Sequence, residues 1–231
     1  MIFEGTPNPD MFNGTADSDV MTGLQGADTL IGNGGNDLIL GGGDDDTMAG
    51  DQAPGAVADP TVTGDDLLIA GDGNDTVSAG PGSDQLFGGI GNDVLLGEAG
   101  DDLIFGDAGD DQIQGGPGND DLTGAAGADI FRFGNAVEPG FGNDFILDFN
   151  RADGDKILLD RSIGGDHIDN FAELQAQIAA GIVTVVAIPT TALTIDFGNG
   201  DILDVFGIDT LDPNDWSFAP ANDAADAAAA L

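Results

Sequence analysis

An aspartate returns every nine residues through the first half of this chain, and few folds can follow such a rhythm. The positions are Asp19, Asp28, Asp37 and Asp46, then, after a step of 20, Asp66, Asp75, Asp84, Asp93, Asp102, Asp111, Asp120 and Asp129. Two residues after each comes a large apolar side chain: Met21, Leu30, Ile39, Met48, Leu68, Val77, Leu86, Leu95, Ile104, Ile113, Leu122 and Phe131. Two residues before it stands a glycine in ten of the twelve units: Gly26, Gly35, Gly64, Gly73, Gly82, Gly91, Gly100, Gly109, Gly118 and Gly127, with Asp17 and Asp44 as the exceptions. The unit is G-x-x-G-x-D-x-U-x, where U is apolar.

Within a unit, x-U-x is long enough for a very short strand whose U side chain points one way while its neighbours point the other. The six residues between strands must reverse the chain, and glycine supplies the positive-φ turns. Two nine-residue units then make an 18-residue coil. Coils stack with repeat n beside repeat n+2, and two inward rows of U residues form a thin core.

Stacking also sets the aspartates in columns, where like charges destabilise one another unless a cation sits between them. The chain cannot supply one, because its four basic residues, Arg132, Arg151, Lys156 and Arg161, all lie beyond the repeats. Short carboxylates and the carbonyls of glycine turns suit a hard dication, and flexible loops favour calcium over the strictly octahedral magnesium. Of the 43 acidic residues 39 are Asp, whereas a merely solvated surface would use Glu as well. A disordered acidic linker would not need an apolar residue at every ninth position.

Units such as Gly88-Gly89-Ile90-Gly91-Asn92-Asp93-Val94-Leu95-Leu96 resemble the nonapeptide of RTX (repeat-in-toxin) proteins. The resemblance implies an all-β chain, a right-handed parallel β-roll with calcium held by the twelve aspartates and the carbonyls of the glycine turns. Spacing assigns Asp28, Asp46, Asp66, Asp84, Asp102 and Asp120 to one column and the other six to the second, with the step from Asp46 to Asp66 read as one coil plus two residues. Five adjacent pairs on the first side and four on the second give about nine ions.

The roll is expected to occupy 1–132, with a loop insertion at 50–63 where Pro54 and Pro60 break the pattern. A C-terminal β-rich cap follows over 133–218. Its segments from Asn143 to Phe149 and from Asp153 to Ile157 resemble the closing segment of many RTX rolls, including those of serralysin-type proteases. Asp169 to Ala180 predicts a helix capped by Asp169 or Asn170; Ile182–Ile188, Thr191–Phe197 and Ile202–Phe206 predict a hairpin around a Gly198–Asp201 turn. The tail at 219–231 is expected to be disordered and is a candidate for the type I secretion signal that the family carries at its C-terminus.

A net charge of −39 argues against nucleic acid and anionic membranes as partners, and no apolar stretch is long enough for a membrane span. The first residues, MIFEGTPNPD, lack a basic n-region and an apolar h-region. Without cysteine there is neither a disulfide nor a thiolate metal site. The single histidine, His167, rules out H-E-x-x-H and reads as a surface residue; G-x-S-x-G is absent, and adjacent carboxylates such as Asp101 and Asp102 point apart. The expectation is a non-enzymatic, secreted calcium protein with a structural, surface or adhesion role, its partners being calcium, the type I secretion machinery and extracellular polysaccharide or a cell surface. The alternative is a calcium-dependent targeting or chaperone module of a secreted protease, lipase or alginate epimerase. Met1 and the lack of a catalytic domain favour the first.

Overall fold

The computed structural model describes residues 1–51, 62–134, 140–159, 171–180, 184–188, 192–198, 201–208 and 210–218. The strands of the first coils are β1 (Ile2–Glu4), β2 (Met11–Asn13), β3 (Val20–Gln25), β4 (Thr29–Ile31), β5 (Leu38–Gly43) and β6 (Thr47–Ala49). The middle coils hold β7 (Leu67–Asp72), β8 (Thr76–Pro81), β9 (Gln85–Ile90), β10 (Val94–Ala99), β11 (Leu103–Ala108), β12 (Gln112–Gln114), β13 (Asp121–Ala126) and β14 (Ile130–Phe133). The last part comprises β15 (Asn143–Ile146), β16 (Lys156–Leu159), α1 (Phe171–Ala180), β17 (Thr184–Ile188), β18 (Ala192–Gly198), β19 (Asp201–Phe206) and β20 (Trp216–Phe218).

Successive repeat strands go alternately to two sheets, ordered β1-β3-β5-β7-β9-β11-β13-β15-β19-β18-β17 and β2-β4-β6-β8-β10-β12-β14-β16-β20. Same-sheet neighbours in the repeats are parallel, as in Ile104 opposite Leu122 and Leu95 opposite Ile113. This is a parallel β-roll with an antiparallel end. All twelve U residues are 0–1% exposed. One row runs Met21, Ile39, Leu68, Leu86, Ile104, Leu122 and on to Ile146 and Val205; the other runs Leu30, Met48, Val77, Leu95, Ile113, Phe131 and on to Ile157 and Trp216.

Many strands are twice as long as the expected three residues. In the pairing of β10 with β8, Leu96 lies opposite Ser78 and the next partners are Glu98 and Gly80. The ladder thus skips Gly97, bends there and continues two residues into the turn. Backbone pairing needs no apolar side chain, so hydrophobic pattern alone undercounts it.

The column assignment across the insertion is corrected. β5 pairs with β7 and β6 with β8, so Asp37 neighbours Asp66, and Asp46 neighbours Asp75. Both sheets step by 29 residues there, as in Leu38 opposite Leu67 and Thr47 opposite Thr76. That is one 18-residue coil plus eleven. The Asp51 amide bonds the Ala79 carbonyl and the Gly35 amide bonds the Thr63 carbonyl, which keeps Asp51 and Thr63 at regular turn positions. The extra residues, 52–62, therefore enter a single half-coil. A loop confined to one turn leaves both ladders in register at an entropic cost that grows slowly with length. Two residues spread over a whole coil would instead shift one sheet against the other. Within the expected 50–63 loop, 52–61 lie outside the described residues.

Coil stacking carries on past 132, where only the nine-residue spacing ends. β15 and β16 continue the two sheets, followed by β19 and β20. β17, β18 and β19 pair antiparallel, and α1 buries Leu174 in the core. Arg151 reaches both carboxylate oxygens of Asp215 at 2.7 Å, and Lys156 donates to the Asn214 carbonyl, joining the last coil to the segment before β20. The Asp169 or Asn170 cap, His167 and the 219–231 tail lie outside the described residues.

Ile104→Ala should destabilise the calcium-loaded roll by about 2–5 kcal/mol. Leu103→Ala, on the outer face, should cost far less. Urea unfolding at saturating calcium separates the two.

Candidate metal centre

The turn aspartates form two buried columns, none of the twelve more than 4% exposed. The first contains Asp19, Asp37, Asp66, Asp84, Asp102 and Asp120; the second contains Asp28, Asp46, Asp75, Asp93, Asp111 and Asp129. In each, the amide of one aspartate donates to Oδ1 of the aspartate one coil on, for example Asp84 to Asp102 at 2.8 Å and Asp102 to Asp120 at 2.9 Å. The ladders continue from Asp120 to Asp144 at 3.0 Å and from Asp129 to Asp155 at 3.1 Å, and begin one coil earlier with Asp10 donating to Asp28. Asp144 and Asp155 escaped the sequence reading because their steps are 24 and 26 residues. The signal was there in Gly142-Asn143-Asp144-Phe145-Ile146, which keeps G-x-D-x-U.

The second carboxylate oxygen has a different fate. Oδ2 is buried without a hydrogen-bond partner in Asp28, Asp37, Asp46, Asp66, Asp75, Asp84, Asp93, Asp102, Asp111, Asp120, Asp129 and Asp144. In eight of them, Asp28, Asp37, Asp46, Asp93, Asp102, Asp111, Asp120 and Asp129, it lies against the glycine five residues earlier; across the insertion Asp66 Oδ2 lies against Gly50, and Ala70 and Ala79 hold that position before Asp75 and Asp84. A Cβ built on Gly41 would fall 2.5 Å from Asp46 Oδ2 and 2.6 Å from the Ala70 carbonyl of the next coil. Gly23, Gly88, Gly97 and Gly106 repeat this arrangement, each with a glycine carbonyl of the next coil. Glycine thus keeps open a cradle where a carboxylate oxygen and a carbonyl oxygen converge. These glycines were not among the expected ligands; the G-x-x-G half of the motif was the available clue.

The expected glycines stack differently. A Cβ on Gly82, Gly91, Gly100, Gly109, Gly118 or Gly127 would collide with the carbonyl of the matching glycine one coil back, so these carbonyls point along the roll between coils. The carbonyls of Gly35, Gly64 and Gly73 are among those that do so, facing Gly64, Gly82 and Gly91. Gly26 holds the same turn position at φ +96°.

Three of the four column ends are satisfied by the protein itself, Asp144 being the exception. Thr15 gives Asp19 Oδ2 its amide at 2.7 Å and its hydroxyl at 3.0 Å, and Thr6 treats Asp10 in the same way. Asn150 donates to Asp155 Oδ2 at 2.7 Å. Among the described residues no three acidic or histidine side chains converge on a point. A cation in these gaps would therefore draw on carboxylates of the columns and on backbone carbonyls, which fits an all-oxygen calcium shell.

A model of the RTX calcium-binding nonapeptide repeat, in four copies, matches residues 5–52, 61–95 and 96–131, just over half of the chain. The chain belongs to the RTX repeat family. No curated protein matches it at a significant level. Among solved structures it is similar to the extracellular lipase LipA from Serratia marcescens, at 19% identity and a TM-score of 0.38, over 95% of this chain and 40% of that one. The chain thus spans well under half of that lipase's length. As an RTX module it binds calcium through its repeats. Among the described residues no helix is long and apolar enough to cross a membrane.

Burial works against ionisation along the columns, with Asp19, held down by its hydrogen bonds to the N-terminus and Thr15, as the exception. Burial, reinforced by neighbouring carboxylates, raises Asp66 and Asp102 to about 8, Asp75 and Asp111 to about 7, and Asp144 to about 9. A folded-state pKa above the unfolded value contributes stability that is fully present below the unfolded pKa and is lost as pH rises through the folded one. Ion-depleted protein should therefore be most folded near pH 4 and lose the roll between about pH 6 and 8. Far-UV circular dichroism of metal-stripped protein reads this directly, and calcium should remove the trend.

Proposed function

We propose that this RTX chain is an extracellular, calcium-triggered folding module, exported through a type I channel and serving a structural, surface or adhesive role without catalysis. The observation that carries this reading is the set of interior aspartates whose Oδ2 atoms are buried with no donor. At neutral pH such a roll is opposed by its own charges, and the chain stays unfolded in a calcium-poor interior. Outside, calcium relieves the columns and the coils can close. The rethreaded columns contain five gaps between neighbouring motif aspartates on each side, so the ion count moves from nine to about ten.

Extracellular calcium modules bind at about 10⁻⁴–10⁻³ M. A site at tenfold saturation contributes about 1.4 kcal/mol. On the order of ten such sites rival a domain's whole stability.

Chelation should convert the β spectrum of the full chain to a disordered one, millimolar calcium should restore it, and equal magnesium should not. A β spectrum indifferent to chelation at pH 7.5 would sink this reading. Calcium-dependent retention on an acidic polysaccharide column is the expected surface activity; retention of a secreted hydrolase instead would favour a targeting or chaperone role.

A further inference from the structure

The coil that carries the insertion holds a buried acid that is not one of the column aspartates, although Asp37, Asp66 and Asp84 of the first column lie near it. Asp51 is 0% exposed, and neither of its carboxylate oxygens has a hydrogen-bond partner. It is not a motif aspartate, since it stands five residues after Asp46. An unpartnered ionised carboxylate in such a place is costly unless something positive meets it.

Two neighbouring coils show where its side chain is aimed. Asp51 bonds the Ala79 carbonyl through its amide, so Gly80 is its partner on the next coil, and Gly80 in turn lies opposite Glu98 on the one after. Asp51, Gly80 and Glu98 thus occupy one turn position on three successive coils. A Cβ on Gly80 would fall 2.7 Å from Asp51 Cβ and 2.8 Å from Asp51 Oδ2. The carboxylate leans forward over the glycine. Glu98 leans back, because Ser78 Oγ, on the coil of Gly80, donates to Glu98 Oε1. Two acids from alternate coils therefore turn toward the same glycine, with the buried Ser78 hydroxyl beside them.

Glu98 sits at φ +74°, a backbone conformation that this turn position also gives Leu24, Asn33 and Ala125. Asp107 adopts a similar φ, +72°, at the equivalent position on the opposite side, but its partners on the adjoining coils are Gly89 and Ala125 and no buried acid faces it.

We propose that Asp51, Glu98 and the Ser78 hydroxyl form a lateral calcium site over Gly80, beside the first column and specific to the insertion coil. The donor set is all oxygen with two negative charges, which suits calcium and excludes soft metals. Since Glu98 is exposed, this ion exchanges with solvent more readily than those inside the columns.

The test uses the full chain at saturating calcium, with native mass spectrometry for ion count and calcium titration for affinity. Asp51→Asn and Glu98→Gln should each lose one ion, or bind one ion at least about tenfold more weakly, in line with loss of a charged ligand. The double variant should lose no second ion, because both side chains serve the same one. Asp107→Asn should keep the wild-type count. An unchanged count and affinity in either single variant, or loss of two ions in the double, overturns the site. If Asp51→Asn fails to fold in calcium, Glu98→Gln alone decides, since its side chain is at the surface. Failure of the wild type to fold on calcium addition would be a separate result, bearing on the proposed function and not on this comparison of ion counts.

Discussion

Everything in this roll turns on a carboxylate that is asked to do two things. Its Oδ1 ties each coil to the one before by accepting an amide, as Asp102 does from Asp84. Its Oδ2 faces forward into a gap lined by glycine and carbonyl oxygen and finds no donor there. The first bond sets the stacking geometry, and the second leaves it electrostatically incomplete. A conventional core would settle the matter by apolar burial, but here that core is only two side chains wide per coil. Stability must come largely from what neutralises the columns.

The ends of the columns show that the gap is a specific omission. Thr6, Thr15 and Asn150 donate to the terminal carboxylates, so the protein has the means to satisfy an Oδ2 internally. It does so at both ends of the second column and at the start of the first, and leaves the interior open. Asp144 is the exception at a terminus, with its carboxyl raised to about 9 by burial and by Asp120.

Much of this was legible from spacing. The twelve U residues are the core, because a nine-residue period admits only one apolar position per half-coil. The family and the parallel stacking also followed from the motif. What spacing could not resolve was which half-coil held the insertion, since 20 residues can be read as a coil plus two or a half-coil plus eleven. Only the ladders decide, through Leu38 opposite Leu67. Asp144 and Asp155 were hidden for a related reason, as longer turns preserve the coil while destroying the count. The lateral pair Asp51 and Glu98 has no sequence signature, because three-coil adjacency spans 47 residues and an insertion.

The insertion itself says something about how such a chain can change over time. Eleven residues enter between Asp51 and Thr63, yet on either side Met48 still faces Val77 and Ile39 still faces Leu68. The ladders keep count of coils and are indifferent to residues. Each half-turn is therefore a port through which new sequence can enter without retuning the rest, and a roll of this kind can acquire a recognition surface one loop at a time while its mineral spine stays as it was.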